Sequence, residues 1–487
     1  MTLSLNNPAL LVQHAYIGGQ WVGASSGATM PVDNPATGAI VGTIPDCGET
    51  DTQAAIDAAR AAWPAWRART AGDRAALLER WYAQVMDNVA DLGRIMTAEQ
   101  GKPVAEAEGE IRYAASFIKW FAEEGRRIDG SIIPAPEANR RILILKEPVG
   151  VSAAITPWNF PAAMITRKCA PALAAGCPVV VKPSELTPFS ALALVKLAEE
   201  AGFPAGVINI VTGQAAPIGG VLTASETVRK LSFTGSTRVG ALLMRQSADT
   251  IKRLSLELGG NAPLLVFDDA DLDLAVAATI ASKFRNAGQT CVCANRILVQ
   301  DGVYDAFAQK LAAAVSALKV APGDQEGSTI GPLINRAAVE KVSAHVDDAL
   351  AHGATIFAQA PEGATGERFA TPLILTGATR DMRLASEETF GPVAPLFRFH
   401  DEAEGIALAN DTSFGLASYF YTENLHRAFR VGEQLEAGMV VLNTGGMAME
   451  MAPFGGIKQS GLGREGAHAG IEEYLETKAF HIGGLKL

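Results

Sequence analysis

Residues 178–200 read PVVVKPSELTPFSALALVKLAEE, and this stretch decides the fold class. The apolar run from Pro178 to Val181 is typical of a buried strand. Thr187 and Pro188 predict the start of a helix, because threonine favours the N-cap and proline the first helical position. The apolar periodicity then continues to Glu200. A strand, a loop and a helix in this order predict one unit of a parallel α/β sheet.

The same alternation continues downstream. Strands are predicted at 207–211, 230–234 and 253–258, with helical segments between them, which is a doubly wound α/β pattern. A second series of strands and helices begins at Pro263, so we predict a domain boundary near 258–261. The chain has 487 residues, which allows two or three domains at about 150 residues each.

Composition limits the partners and the compartment. The formal net charge of -11 disfavours binding to nucleic acid or to an anionic membrane. Five cysteines, an odd number, fit reduced thiols better than a disulfide framework. The longest apolar stretch, 169–181, is too short to span a bilayer, and the N-terminus does not resemble a signal peptide. We therefore expect a cytoplasmic protein with a small-molecule substrate.

A loop with two cysteines predicts covalent chemistry. Residues 284–293 read FRNAGQTCVC, with Cys291 and Cys293 one residue apart after a glycine that ends a helical segment. A cysteine thiolate is a strong nucleophile, so Cys291 suits covalent catalysis. Cysteine is also a common apolar filler, and this segment alone leaves both interpretations open. No motif in the sequence predicts a metal site.

Two loops predict a nucleotide site. Lys182, Ser184 and Glu185 follow the strand that ends at Val181, at the strand edge where open α/β sheets bind ligands. The alternative is a loop of solvated side chains. The turn Gly235-Ser236 joins a strand to a helix and leaves backbone N–H groups free for a pyrophosphate, which favours the nucleotide interpretation.

Glu257 and Asn159 supply two further candidate groups. Glu257 closes the last strand of the first series, and a carboxyl in an apolar cleft has a raised pKa that suits a general base. Alternatively it anchors the following Gly259-Gly260 turn. The Asn159 side-chain amide can stabilise an oxyanion. Alternatively an asparagine flanked by prolines is a turn residue.

Six segments share a characteristic order and spacing. They are 157–160 (PWNF), the Lys182 loop, 233–236 (FTGS), 257–260 (ELGG), 288–291 (GQTC) and 388–392 (ETFGP). Together they resemble the aldehyde dehydrogenase superfamily over essentially the whole chain. The sequence at 162–168 and 283–295 is most similar to the succinate-semialdehyde dehydrogenase branch.

The resemblance implies a fold and an assembly. It implies an α/β protein with a Rossmann-like cofactor domain, an α/β catalytic domain and a small β oligomerisation extension. Such proteins form homodimers or homotetramers. The cofactor domain is expected at 1–130, 149–258 and 450–470, the catalytic domain at 259–449, and the oligomerisation element at 131–148 and 471–487.

The resemblance also implies a mechanism. The Cys291 thiolate attacks the aldehyde, and Asn159 with the Cys291 backbone N–H holds the oxyanion. Hydride then leaves for the nicotinamide, and Glu257 activates the water that hydrolyses the thioester. Lys168 and Glu476 match a proton-relay pair of the family.

Cofactor positions follow from the same resemblance. Close relatives that prefer NADP tend to have a small residue where this chain has Glu185, so NAD is expected to be preferred. Ser184 beside it can accommodate a phosphate, which leaves use of NADP open. The implied cofactor-binding residues are Trp158, Lys182, Ser184, Glu185, Gly235, Ser236, Glu388 and Phe390.

The implied substrate is a small anionic aldehyde. Arg167 and Arg285 match the arginines with which the branch binds the distal carboxylate of its substrate, and an arginine fork suits a carboxylate. The alternative is that each arginine pairs with an acid of the protein. Ala448 stands where the branch has a carboxylate-binding serine, and Met447 and Met449 flank it. This departure opens glutarate semialdehyde as an alternative to succinate semialdehyde.

Three questions stay open in the sequence. Cys293 is either a redox partner of Cys291, as in some relatives, or a spare thiol. A cysteine acyl-transferring enzyme without nicotinamide is a different class of function that the cysteine loop alone permits. A catalytically idle protein on the same fold is disfavoured by the presence of Cys291, Glu257 and Asn159.

Overall fold

Two large sheets and a three-stranded sheet organise the chain in the computed structural model, which describes residues 3–486. Residues 1, 2 and 487, at the outer limits of two predicted domain segments, lie outside the described residues. The strands are β1 (Ala15–Ile17), β2 (Gln20–Val22), β3 (Thr29–Asp33), β4 (Ile40–Pro45), β5 (Ser131–Ile133), β6 (Arg141–Pro148), β7 (Val151–Ile155), β8 (Val179–Lys182), β9 (Ile208–Ile210), β10 (Val228–Thr234), β11 (Arg253–Glu257), β12 (Ala262–Val266), β13 (Ala294–Gln300), β14 (Thr355–Gln359), β15 (Leu373–Thr376), β16 (Val393–Phe399), β17 (Ala417–Tyr421), β18 (Met439–Leu442), β19 (Gly461–Leu462) and β20 (Leu475–Ile482).

Helices cover these sheets. They are α1 (Glu49–Arg67), α2 (Ala71–Asp87), α3 (Val89–Gln100), α4 (Val104–Glu124), α5 (Ala163–Ala175), α6 (Pro188–Glu200), α7 (Ala215–Ala224), α8 (Thr237–Ser247), α9 (Leu272–Lys283), α10 (Tyr304–Val315), α11 (Arg336–Ala351), α12 (Arg383–Ser386), α13 (Glu402–Asn410), α14 (Leu425–Gln434) and α15 (Ala467–Glu472).

The first sheet confirms the doubly wound prediction. Its order is β19-β11-β10-β7-β8-β9-β1-β2, and the strands from β11 to β9 in that order pair in parallel. Val179 to Val181 are completely buried, as the apolar run predicts. Parallel pairing brings the carboxyl ends of β7, β8, β10 and β11 to one edge, so the loops that follow them lie side by side.

The start of α6 differs from the expectation in one detail. Thr187 occupies the N-cap, but its side chain makes no capping hydrogen bond. The buried carboxylate of Glu99 instead accepts from the backbone N–H groups of Phe189 and Ser190, at 2.7 and 2.8 Å. A carboxylate from α3 therefore satisfies the N-terminal donors of α6 and ties the two helices together.

The second sheet has the order β14-β15-β16-β13-β12-β17-β18 and its own apolar core. Asp271 caps the start of α9, since its Oδ1 accepts from the backbone N–H groups of Asp273 and Leu274. The chain leaves the first sheet after Glu257 and enters the second at Ala262, so a four-residue crossover joins the two sheets.

The third sheet has the order β20-β6-β5 and touches the core of the first sheet through Leu475 at the start of β20. Strand β6 contains the apolar run 142–145 and pairs with β20 along eight residue pairs. Side chains on this sheet are widely exposed, with Ile132 at 71% and Phe480 at 50%. No helix among residues 3–486 is long and apolar enough to cross a membrane.

Candidate active site

A cavity of about 340 Å³ lies between the first two sheets. The loops after β7, β10 and β11 form one side, and loops of the second sheet form the other. The cavity therefore brings together groups that are far apart in sequence. Its lining includes seven predicted site residues, namely Trp158, Asn159, Gly235, Ser236, Cys291, Glu388 and Phe390.

The cysteine loop, residues 285–293, has an unusual backbone. Asn286, Ala287 and Gly288 all have positive φ, at 51°, 54° and 76°. For the two non-glycine residues this conformation costs of order 1–3 kcal/mol each. Glycine is required at 288, because a Cβ there would lie 2.2 Å from the Gly391 carbonyl oxygen. The strain is typical of a loop that holds a reactive group in one position.

Cys291 is only partly accessible to solvent. Desolvation raises the pKa of its thiol to about 12, although the positive charge of Arg167 lowers it, and the carboxyls of Glu388 and Glu257 raise it further. The thiol is therefore protonated at neutral pH in this state of the enzyme. A base must remove its proton before Cys291 can act as a nucleophile.

Asn159 is buried against the cysteine loop. Its Nδ2 donates to the Gln289 carbonyl oxygen at 3.0 Å, two residues before Cys291. Its own backbone oxygen accepts from Lys102 Nζ at 2.8 Å and from Asn286 Nδ2 at 3.1 Å. The amide is thus held beside the thiol, where a donor to an oxyanion on the attacked carbonyl is needed.

Glu257 is completely buried, and neither carboxyl oxygen has a hydrogen-bond partner among residues 3–486. Burial raises its pKa well above the usual range, and the negative charge of Glu465 raises it further, while Arg167 and Lys168 lower it. A carboxyl of raised pKa without a fixed partner suits a general base.

The structure corrects the predicted partner of Lys168. Its Nζ donates to Glu465 Oε1 and to Thr234 Oγ1, the latter at 2.6 Å. Glu476 lies outside this cluster on the exposed strand β20, where Arg253 is 3.8 Å away. The pairing with Glu476 is wrong because α5 carries Lys168 into the interior, whereas β20 belongs to the peripheral sheet.

The two arginines of the predicted carboxylate grip differ in their surroundings. Arg167 is buried, and its Nε donates to Glu465 Oε2 at 2.5 Å, so it pairs with an acid of the protein. Arg285 is half-buried, with its guanidinium 4.8 Å above the centre of the Phe160 ring. Among the described residues, no carboxylate lies within 4.0 Å of Arg285. Arg285 therefore forms no close ion pair within residues 3–486, although burial raises the pKa of Glu106 and the charge of Arg285 lowers it. Its role in binding the substrate carboxylate stays a prediction.

A half-buried ion pair joins the last residue of β8 to the loop that follows it. Lys182 Nζ lies 2.6 Å from Glu185 Oε2, and the Glu185 side chain is 32% exposed. Ser184 is buried, and its Oγ accepts from the backbone N–H of Leu186. These side chains lie at the edge of the sheet that carries the cavity, but outside its immediate lining.

Aromatic and acidic groups line the cavity from both sides. Trp158 and Phe390 pack edge to face, with ring centres 5.6 Å apart. Phe390 has a positive φ of 56°, a second strained position in the site. Burial raises the pKa of Glu388 to about 7, while its Oε1 accepts from the backbone N–H of Gly260 at 3.1 Å. Gly235 and Ser236 line the cavity just before α8, and Ser236 caps that helix.

Cys293 has a different environment from Cys291. It is buried, and Lys283 Nζ donates to its sulfur at 3.3 Å. Burial raises the pKa of the Cys293 thiol, and the Lys283 ammonium lowers it. Both cysteines are free thiols in the structure. The redox pairing of Cys291 and Cys293 stays a prediction.

The sequence profile of the aldehyde dehydrogenase family matches residues 21–480. The chain belongs to the aldehyde dehydrogenase family. It is 59% identical to glutarate-semialdehyde dehydrogenase of Pseudomonas putida, over 98% of this chain and 99% of that protein. It is also 59% identical to succinate-semialdehyde dehydrogenase [NADP(+)] GabD of Escherichia coli, over 99% and 100%. The crystal structure of succinate-semialdehyde dehydrogenase from Burkholderia pseudomallei superimposes with a TM-score of 0.98 at 60% identity, over 99% and 100%.

Membership of this family confirms the resemblance and the implied fold, and the enzyme is an aldehyde dehydrogenase. The sequence interpretation missed two buried groups of the site. Glu465, which pairs with Lys168 and Arg167, lies in the glycine-rich stretch 461–466. A carboxylate between glycines is the sequence feature that indicates a candidate site residue there. Lys102, in Gly101-Lys102-Pro103, contacts Asn159 from a loop 57 residues away, and no local pattern indicates that contact.

Proposed function

We propose that this enzyme oxidises succinate semialdehyde to succinate, with NAD or NADP as the hydride acceptor. The observation that supports this substrate is the unpaired guanidinium of Arg285, six residues before Cys291 and beside Phe160. A half-buried arginine without an acid partner favours a ligand that carries a carboxylate. Arg167, held by Glu465, adds positive charge from the interior.

In this mechanism the Cys291 thiol gives its proton to solvent water, and its sulfur then bonds to the aldehyde carbon. Asn159 Nδ2 and the Cys291 backbone N–H donate to the resulting oxyanion. A nicotinamide cofactor held beside Cys291 by Trp158 and Phe390 would supply the acceptor for the hydride of that carbon. Glu257 then accepts a proton from a water molecule, which attacks the thioester and releases the carboxylate product.

The cavity suits a nicotinamide dinucleotide. The turn Gly235-Ser236 opens the eleven-residue helix α8, whose N-terminal N–H groups favour a phosphate. Trp158 and Phe390 supply flat apolar walls beside Cys291. Glu388, with one oxygen held by Gly260, is placed to accept from ribose hydroxyls.

We expect NAD to be preferred over NADP, because the Glu185 carboxylate repels a 2′-phosphate and can accept from a 2′-hydroxyl. Lys182 neutralises part of that charge, which is consistent with use of both cofactors. Glu185→Ser is expected to raise the ratio of kcat/KM for NADP over NAD by about tenfold, since it removes a repulsion of roughly 1–2 kcal/mol and frees Lys182.

Initial rates with both cofactors measure that ratio. Lys196 and Glu199 form a similar lysine–glutamate pair on α6, at 2.8 Å, so Glu199→Ser is a matched control that should leave the ratio unchanged. An unchanged ratio in Glu185→Ser would show that Glu185 does not select the cofactor.

Glutarate semialdehyde is a second candidate substrate. A relative at 59% identity bears that substrate in its name. Ala448 also lacks the hydroxyl with which the succinate-semialdehyde branch binds its substrate, so we expect one donor fewer for the distal carboxylate. A hydrogen bond is worth about 0.5–1.5 kcal/mol, so the loss weakens carboxylate binding without abolishing it.

Steady-state rates with succinate semialdehyde, glutarate semialdehyde and butanal, each with both cofactors, test this proposal. We expect the two acids to exceed butanal in kcat/KM. Arg285→Leu should lower kcat/KM for the acids by about 30-fold and for butanal by less than threefold, because it removes a charged hydrogen bond of roughly 2 kcal/mol. A wild-type enzyme that favours butanal would contradict the carboxylate proposal.

We also propose that the three-stranded sheet joins copies of the chain into a dimer or tetramer. The outer edge of β20 has no strand partner among the described residues. An exposed strand edge with apolar side chains favours pairing with another chain.

A further inference from the structure

Lys102 is a buried lysine in contact with the proposed oxyanion residue. Its side chain is 1% exposed, and its Nζ donates to Glu110 Oε2 at 2.5 Å and to the Asn159 backbone oxygen at 2.8 Å. The same ammonium lies 4.1 Å from the centre of the Phe160 ring. The Lys102 ammonium therefore contacts Glu110, the backbone of Asn159 and the ring of the next residue, Phe160.

Glu110 extends this contact to the helix that carries Arg167 and Lys168. Its second oxygen, Oε1, accepts from the backbone N–H groups of Ala162 and Ala163 at 3.0 and 3.2 Å. These are the donors at the start of α5. One ion pair thus holds both ends of the segment from Asn159 to Ala163.

The backbone around Lys102 reaches the cysteine loop as well. The Lys102 N–H donates to Gln100 Oε1, and Gln100 Nε2 donates to Asn286 Oδ1, both at 2.9 Å. Asn286 Nδ2 in turn donates to the same Asn159 oxygen that Lys102 binds, at 3.1 Å. Lys102 and the strained cysteine loop therefore fix Asn159 from two sides.

Stability alone gives no strong reason for this ion pair. Removing two charges from water is costly, and apolar residues of similar volume often replace a buried ion pair without loss of stability. Desolvation lowers the pKa of Lys102, while Glu110 raises it. The position of the pair, against the peptide of Asn159, points to a role in the reaction.

We propose that Lys102 is a positioning residue that orients the Asn159 amide toward the oxyanion. The proposal rests on the proposed function of Asn159. A misplacement of about 1 Å in a catalytic group can cost about 100-fold in rate. Lys102 does not contact the substrate, so its loss should change kcat and leave KM nearly unchanged.

A double-mutant cycle tests this proposal. Lys102→Met alone leaves the Glu110 carboxylate buried and unpaired, so the neutral variant Lys102→Met/Glu110→Gln is made beside it. In the wild-type background we expect this neutral variant to lower kcat by about 30-fold with succinate semialdehyde and butanal alike, with KM changed by less than threefold. In an Asn159→Ala background the same change should cost less than threefold.

The cycle distinguishes failure of the Lys102 proposal from failure of the proposed function of Asn159. An equal loss in both backgrounds, or no loss in the wild-type background, overturns the role of Lys102, since a purely structural effect would be independent of Asn159. If Asn159→Ala itself leaves kcat unchanged, the proposed function of Asn159 fails and Lys102 has no donor to position. If Asn159→Ala is slow and the neutral variant is not, only the Lys102 proposal fails.

Discussion

Cys291→Ala is expected to lower kcat/KM by at least about 10⁴-fold with every aldehyde and both cofactors, because it removes the sulfur that we propose bonds to the aldehyde carbon. Cys291 alone among the five cysteines is partly accessible, whereas the other four are buried. Cys293→Ala is the matched control two residues away, and it should retain most of the activity. Assays of hydride transfer at saturating cofactor measure both variants.

The pH dependence of alkylation tests the environment of the same thiol. Because burial raises the pKa of Cys291 to about 12, the thiolate fraction should increase tenfold per pH unit between about 7 and 9. Iodoacetamide should therefore label Cys291 faster as pH rises, as mass spectrometry of the labelled peptide can measure. A labelling rate that is flat across this range would show that the thiol is already ionised. In the turnover assay, full activity of the Cys291→Ala variant would show that Cys291 is not the nucleophile.

Local sequence patterns predicted the strand, helices and turn that surround this site. The run at 178–181 and the helix signals after it placed β8 and α6, and the Gly235-Ser236 turn placed the start of α8. These features depend on residues a few positions apart, so periodicity and capping preferences report them directly. The family motifs then assigned roles to Cys291 and its neighbours.

Long-range pairings were not predictable in the same way. Lys168 and Glu465 are 297 residues apart, and Lys102 and Asn159 are 57 residues apart. Glu465 and Glu476 are equivalent as isolated carboxylates, and only the packing of α5 under the first sheet decides between them. The cap of α6 has the same origin, because Glu99 reaches it from another helix.

Glu257→Gln is expected to lower kcat by about 100-fold or more while hydride transfer in the first turnover persists. Glutamine keeps the volume of the side chain but cannot accept a proton from water, so the thioester on Cys291 should accumulate. A burst of reduced cofactor equal to the enzyme concentration, followed by slow turnover, is the expected time course. Intact-protein mass spectrometry should detect the acylated enzyme.

The rate of thioester hydrolysis should depend on pH through the ionisation of Glu257. Burial and Glu465 raise the pKa of Glu257, so at pH values below that pKa the protonated form predominates and cannot act as a base. Thioester hydrolysis in the wild type should therefore accelerate as pH rises, and Glu257→Gln should lose that dependence. Glu388→Gln, which alters another buried acid of the cavity, should keep it, because Glu388 is held by Gly260 on the cofactor side. A variant Glu257→Gln that hydrolyses the thioester at the wild-type rate would assign the base to another group.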